Sequence, residues 1–250
     1  MSPNSLRLKI VELVYKSKEG HIPSAFSIVD IIYYIYRKRI KKNNSKFILS
    51  KGHGALALYV VLNYFKILKT KILNLYYKNN SLIGGHPEIS LDGVEASTGS
   101  LGHGFSTAIG IAIALKIKKN SKKKIYVLVG DGECNEGPIW ESAHIAANYD
   151  LDNLICIIDN NKSSKNLLPL DNLYKKWIAF GWHVLKANGH SVKSMDNAFK
   201  KIDKKKNKKP SVIIANTIKG KGVYFMENNG KWHHKVPNKN ELDKIKKILN

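Results

Sequence analysis

Asp131 stands between two glycines in Gly130-Asp131-Gly132, and Asn160-Asn161-Lys162-Ser163 follows a helix and a strand later. Before the first element runs Ile125-Tyr126-Val127-Leu128-Val129, and before the second runs Leu154-Ile155-Cys156-Ile157-Ile158. Both are short, apolar, β-rich runs of the kind that form buried strands. Between them, Gly137 to Ala147 has helical composition and spacing, with Pro138 in the first turn, where proline is tolerated. A parallel pair joined by such a crossover brings both strand ends to one edge of a sheet, where open α/β sheets bind ligands. Asp131 and Asn161 would then meet. A carboxylate, a side-chain amide oxygen and a backbone carbonyl are hard oxygen donors suited to Mg2+. Gly132 would let the backbone approach phosphates closely, and the helix N-terminus that follows would favour their negative charge. Alone, Gly-Asp-Gly is more often an ordinary turn; the paired strand ends carry the expectation of a metal and diphosphate site.

Ser5 to Lys18 and Ser24 to Arg39 read as amphipathic helices, with His21 in the loop between them. Lys46 to Leu49 reads as a strand entering Ser50-Lys51-Gly52-His53-Gly54, followed by a buried helix over Ala55 to Phe65. Gly84-Gly85-His86-Pro87 is a loop, and Gly102 to Lys118 a helix entered through Gly99-Ser100-Leu101. Leu173 to Phe180, Ser194 to Lys204 and Glu241 to Leu249 read as helices, and His183 to Lys186 and Ser211 to Asn216 as strands. Strand and helix alternate, which predicts a doubly wound, mostly parallel sheet with helices on both faces. At 250 residues one such domain is ordinary, and no repeat or linker divides the chain.

The net charge of +23 raises the question of nucleic acid. The lysines are spread along the chain, with exposed runs at Lys116 to Lys124 and Lys200 to Lys209, and accompany abundant Asn, Ile and Tyr as AT-rich coding would produce. No nucleic-acid module is apparent, so salt-sensitive adsorption rather than specific recognition is expected. No run of about 18 apolar residues and no secretory leader is present, so no membrane span is expected and a cytoplasmic location is the default. Cys134 and Cys156 are too few for a disulfide framework and are expected to be reduced and structural.

The text Gly130-Asp131-Gly132-Glu133-Cys134-Asn135-Glu136-Gly137, with Trp140-Glu141, resembles the thiamine diphosphate motif of transketolases. Gly20-His21, Ser50-Lys51-Gly52-His53-Gly54, Gly85-His86-Pro87-Glu88, Ser97-Thr98-Gly99-Ser100-Leu101-Gly102, Phe180-Gly181-Trp182 and Lys219-Gly220-Lys221-Gly222 match the same family in the same order. The resemblance runs from about Gly20 to about Pro237. It implies the thiamine diphosphate-binding fold over residues 1–250, as a single diphosphate-binding domain, with thiamine diphosphate and Mg2+ as cofactors. Asp131, Asn161 and Ser163 would hold the metal; Gly132, His53, and the backbone of Gly99 and Leu101 would contact the cofactor. His86 would bind the donor sugar, His21 would assist proton transfer, and His233, in Trp232-His233-His234, would line the same cleft, although His234 stands where the family has glycine. Glu136 and Glu141 would lie near a dimer contact, while His144, His183 and His190 read as structural.

In the family a second, pyrimidine-binding domain supplies the glutamate that activates the cofactor, and the resemblance places that domain outside this chain. The expectation is the N-terminal subunit of a two-chain transketolase, inactive alone, forming a dimer of heterodimers and acting on sugar phosphates. The alternatives are a subunit like 1-deoxy-xylulose-5-phosphate synthase and a degenerate, non-catalytic interaction subunit. Gly85-His86-Pro87-Glu88 favours transketolase over the first, and retention of Asp131, Asn161 and the loop histidines weighs against the second.

Overall fold

The structure is a computed structural model describing residues 3–40, 44–120, 123–165, 168–170 and 172–250. Five strands form one sheet: β1 (Lys46–Leu49), β2 (Ile125–Gly130), β3 (Leu154–Asn160), β4 (His183–Asn188) and β5 (Ser211–Asn216). Their order is β1-β2-β3-β5-β4, and every neighbouring pair is parallel. The register sets Gly130 opposite Asp159 and Asn160 opposite Asn216, so the carboxyl ends of β2, β3 and β5 finish level along one edge.

The apolar runs are continuous because both faces of the sheet are covered. Alternate residues part to opposite sides. Tyr126, Leu128, Ile155, Ile157, Ile213 and Ala215 join the core formed with α1 (Pro3–Ser17), α2 (Ile22–Ile35), α3 (Ala55–Tyr64) and α8 (Val192–Lys204). Val127, Val129, Cys156, Ile158, Val212 and Ile214 join the core formed with α5 (His103–Ile117), α6 (Gly137–Asn148) and α7 (Leu173–Ala179). Each fully buried Ile or Val contributes about 1.5–3 kcal/mol of transfer free energy, which makes these two layers the main support of the edge. A short helix, α4 (Thr70–Leu73), and a C-terminal helix, α9 (Lys239–Leu249), complete the described elements. Helix α9 is entered through a capping box in which Asn238 and Glu241 satisfy each other's backbone N–H groups.

Several boundaries differ from the sequence expectation. Helix α2 begins at Ile22, because Pro23 fits the first turn and the His21 carbonyl accepts the Ala25 N–H at 3.1 Å. It passes into a π-helical turn over Tyr36–Ile40 instead of running regularly to Arg39. Between Asp131 and α6 lies a 3-10 turn, Gly132–Asn135, and α6 itself starts at Gly137, where the sequence places it. Strand β3 continues through Asp159 and Asn160. Of the run from Lys116 to Lys124, residues 121 and 122 lie outside the described residues. Both cysteines are free and buried, and burial raises both thiols well above their ordinary range, in keeping with reduced, structural residues. The His190 ring is held on both nitrogens: Nδ1 meets Asp30 at 2.5 Å and Nε2 accepts the Ile218 N–H at 2.9 Å.

Candidate functional site

Asp131 leaves the end of β2 with its backbone N–H bonded to the Asp159 carbonyl at 3.2 Å. Its carboxylate accepts the N–H of Gly132 at 2.8 Å and that of Lys162 from the turn after β3. Burial, and then the neighbouring Asp159 charge, push its pKa up from the usual carboxylate value. The salt bridges among the described residues do not include Asp131. A buried carboxylate held only by backbone N–H groups is a ready ligand for a cation. Asn161 is buried beside it: Nδ2 donates to Asp159 at 2.8 Å, and Oδ1 accepts the Ser163 N–H at 2.9 Å, leaving a lone pair. Ser163 is exposed in that turn.

The orientation of Asn161 depends on Asp159, which is fully buried and accepts from Lys51 at 2.5 Å, Ser27 at 2.8 Å, Asn161, and the Thr217 hydroxyl. Burial alone would raise this carboxyl, but the Lys51 ammonium and the hydrogen bonds outweigh it and hold it below the ordinary range. Glu133 performs the equivalent task on the other side. Its carboxylate accepts the Gly130 N–H and the Gly102 N–H, each at 2.9 Å, and the Ser50 hydroxyl at 2.5 Å. One buried side chain thereby ties the end of β2, the loop after β1 and the entrance of α5.

The histidines arrive on that same edge. Gly20 adopts φ +147, and a Cβ there would meet Val14 Cγ2 at 2.6 Å, so glycine allows the chain to turn tightly out of α1 and present His21. The His21 ring lies 5.8 Å from His53, 5.5 Å from His233 and 4.0 Å from His234. His86 packs on the backbone of Gly99, where a Cβ would approach its ring to 3.2 Å, and it bears electrostatically on His21. Gly52 packs against the Thr98–Gly99 backbone in the same way, with Thr98 O at 2.9 Å from a Cβ built there. Leu101 stands half-buried at the start of α5. Burial, followed by His234 and His233, lowers His21 to about 4; burial, followed by Lys51, holds His53 well below its ordinary value. Burial and Lys219, whose ammonium lies 3.0 Å from His233 Nδ1, lower His233 as well. All three imidazoles are therefore neutral near pH 7. Beside Asp131 a cleft of about 550 Å³ opens, with Asn160, Lys162, Lys165, Tyr174, Lys186 and Asn216 among its walls. Its lysines suit an anionic ligand, while the histidines lie outside its walls.

The sequence matches the family described as transketolase, thiamine diphosphate binding domain, over residues 2–250. The chain belongs to the transketolase family. It is 42% identical to an apulose-4-phosphate transketolase subunit of Actinobacillus succinogenes, covering 96% of this chain and 91% of that one. To the protein of the same name from Phocaeicola vulgatus it is 39% identical, covering 92% and 86%. Transketolase of Campylobacter jejuni superposes with a TM-score of 0.87 at 30% identity; the match covers 99% of this chain but only 42% of that structure. Transketolase membership sets the class of chemistry, transfer of a ketol unit, and the doubly wound sheet is the thiamine diphosphate-binding fold.

Within that transketolase fold the residues singled out from the sequence do share one edge. His144, by contrast, is exposed on α6, away from the histidine group. Asp159 and Thr217 emerge as site residues only from the structure, and Lys51, Glu133 and Lys219, although inside the matched motifs, gain their roles there. An aspartate and a lysine inside otherwise apolar, glycine-flanked stretches are the available sequence signal, since such charges are buried only when paired.

Proposed function

We propose that the chain is the diphosphate-binding subunit of a two-subunit transketolase, moving a two-carbon unit from a ketose phosphate to an aldose phosphate with thiamine diphosphate and Mg2+. The observation that carries this reading is that the Asp131 carboxylate, at the end of β2, accepts the N–H of Lys162, the neighbour of Asn161 after β3, with four neutral or loop-borne histidines on the same edge. The donor set fits Mg2+: a buried carboxylate that makes no salt bridge among the described residues, an amide oxygen with a spare lone pair, and the Ser163 carbonyl at the adjacent turn. Thiamine diphosphate, when bound, supplies the carbanion chemistry.

The chain's own residues bind, orient and move protons. Asp131, Asn161 and Ser163 hold the metal, Gly132 leaves room for phosphate, and His53 donates to the diphosphate. Gly99 and Leu101 offer backbone contacts to the pyrimidine ring. His86, exposed in its own loop and packed on Gly99, contacts the donor sugar. His21 and His233, neutral in the free chain, accept or return protons at substrate hydroxyls. The activating glutamate comes from a separate pyrimidine-domain subunit, in a dimer of heterodimers around a two-fold axis. Among the described residues no helix is long and apolar enough to cross a membrane, and the two reduced cysteines fit a cytoplasmic location. Copurification with a pyrimidine-domain polypeptide, followed by an assay of ketose-to-aldose transfer, tests the reading. Activity is expected only with both chains, Mg2+ and thiamine diphosphate. A reconstituted pair that binds the cofactor and transfers nothing would overturn it.

A further inference from the structure

His21, His233 and His234 place three imidazole nitrogens within 4.8 Å of one another. They come from opposite parts of the chain: the N-cap of α2, and the residues just after a 3-10 turn at Gly230–Trp232. The His21 and His234 Nε2 atoms are 3.2 Å apart, and the His233 and His234 rings are 4.7 Å apart, edge-on. A tetrahedral Zn2+ with Zn–N bonds of about 2.0–2.1 Å holds its ligand nitrogens about 3.3–3.4 Å apart. One pair is already at that spacing, and the two exposed histidines reach it by side-chain rotation.

We propose that His21, His233 and His234 form a second metal site, for Zn2+ or a similar imidazole-preferring divalent ion, separate from the oxygen site at Asp131. The chemistry sorts the two ions. Imidazole suits Zn2+, Cu2+ and Ni2+, whereas Mg2+ prefers hard oxygen donors and keeps much of its water. Three protein ligands leave a fourth position for water. The opposing groups are Lys51 and, nearest, Lys219, whose ammonium meets His233 at Nδ1. Coordination through Nε2 puts the imidazole proton on Nδ1, so Lys219 swings out of that contact on its flexible stem as the metal enters. His53, with its ring 5.8 Å from that of His21, stays outside the triad.

His234 gives the site its meaning. Without it, His21 and His233 are a pair that meets substrate; with it, they are a trap that removes both from substrate. Zinc therefore acts as an inhibitor, a consequence that rests on the roles proposed for His21 and His233, whereas the binding itself does not.

The test uses the full chain without a polyhistidine tag, Zn2+ in equilibrium dialysis and Co2+ as an absorption probe, both in excess Mg2+. One equivalent of Zn2+ is expected to bind, and Co2+ to give the intense visible bands of a low-coordinate site. His234→Gly is expected to weaken Zn2+ binding about tenfold or more, with His21→Gln as a second variant, while Asp131→Ala leaves it unchanged. Equal Zn2+ affinity in the parent, His234→Gly and His21→Gln, or the absence of stoichiometric binding in the parent, overturns the site. In the reconstituted enzyme Zn2+ should inhibit the parent and spare His234→Gly. Zinc bound at the triad without loss of transfer overturns the inhibition and the substrate roles of His21 and His233, and leaves the metal site standing.

Discussion

Asp131 and Asn161 make the sharpest single-residue prediction, because each is buried and neither owes its place to the protein core alone. Removing a charge-assisted contact costs about 1.5–3 kcal/mol, so Asp131→Ala or Asn161→Ala is expected to weaken Mg2+-dependent thiamine diphosphate binding roughly ten- to hundredfold. The fold should persist, since Asp131 makes no salt bridge among the described residues. Calorimetric titration beside a thermal melt checks both halves; unchanged cofactor affinity refutes the metal assignment. The histidines separate by environment. His53 is largely withdrawn into the protein beside Lys51, whereas His86 is exposed against Gly99. His53→Ala is therefore expected to lower cofactor affinity, by a charge-assisted hydrogen bond of about 1.5–3 kcal/mol, with donor use less affected. His86→Ala should raise the donor KM and leave cofactor affinity near the parent value. Identical losses in both parameters for both variants would show that the two roles are not separate.

At the scale of elements, the Lys51–Asp159 pair joins the loop after β1 to the end of β3. Both side chains are buried, so removing one partner strands the other charge. Asp159→Asn is expected to cost about 3–5 kcal/mol in urea unfolding at pH 7. The sign of its pH dependence follows from a folded-state pKa below the usual carboxylate value. The pair stabilises above the unfolded pKa, and that contribution is lost as pH falls through the folded value. The gap between parent and Asp159→Asn should thus close in strongly acidic solution; a gap that widens there contradicts the pairing. This pair also marks where sequence reading stops. The strand cores, β1 and β5 to the residue, are legible because apolar runs bounded by Gly, Pro and Asn are local signals. Strand β3 reads as ending at Ile158 because Asp159 breaks the apolar pattern, and its partners Lys51, Ser27 and Thr217 come from three distant segments. The π-helical end of α2 and the role of Glu133 are hidden for the same reason. Convergence of His21, His53 and His233 follows from resemblance, whereas the contact of His234 with His21 arises from the packing of the 230s segment against the start of α2, which no spacing encodes.

For the whole molecule, the question is what the carboxyl edge faces. The edge bears Asp131, the histidines and the lysine-walled cleft, and Asp131 is the one carboxylate among the described residues that wall that cleft. In the proposed two-chain enzyme, the activating glutamate of the partner polypeptide would approach this edge. Helix α6 offers a surface for association: Glu141, Ile145 and Tyr149 follow at four-residue spacing along its exposed side, with Ile145 and Tyr149 among the large apolar residues left in solvent. This pair of exposed apolar side chains, on α6 and its C-cap, is the candidate contact with the partner. The purified chain is expected to bind Mg2+ and thiamine diphosphate weakly and to show no ketol transfer until the pyrimidine-domain polypeptide is added. Light scattering should then report two copies of each chain, the smallest closed arrangement in which every diphosphate domain meets a pyrimidine domain across a two-fold interface. Ile145→Glu places a charge in that interface and is expected to weaken assembly about tenfold or more while leaving the melting temperature of the isolated chain near the parent value. Full activity in the chain alone, with no copurifying polypeptide, would remove the need for the partner, and undiminished assembly of Ile145→Glu would move the interface off α6.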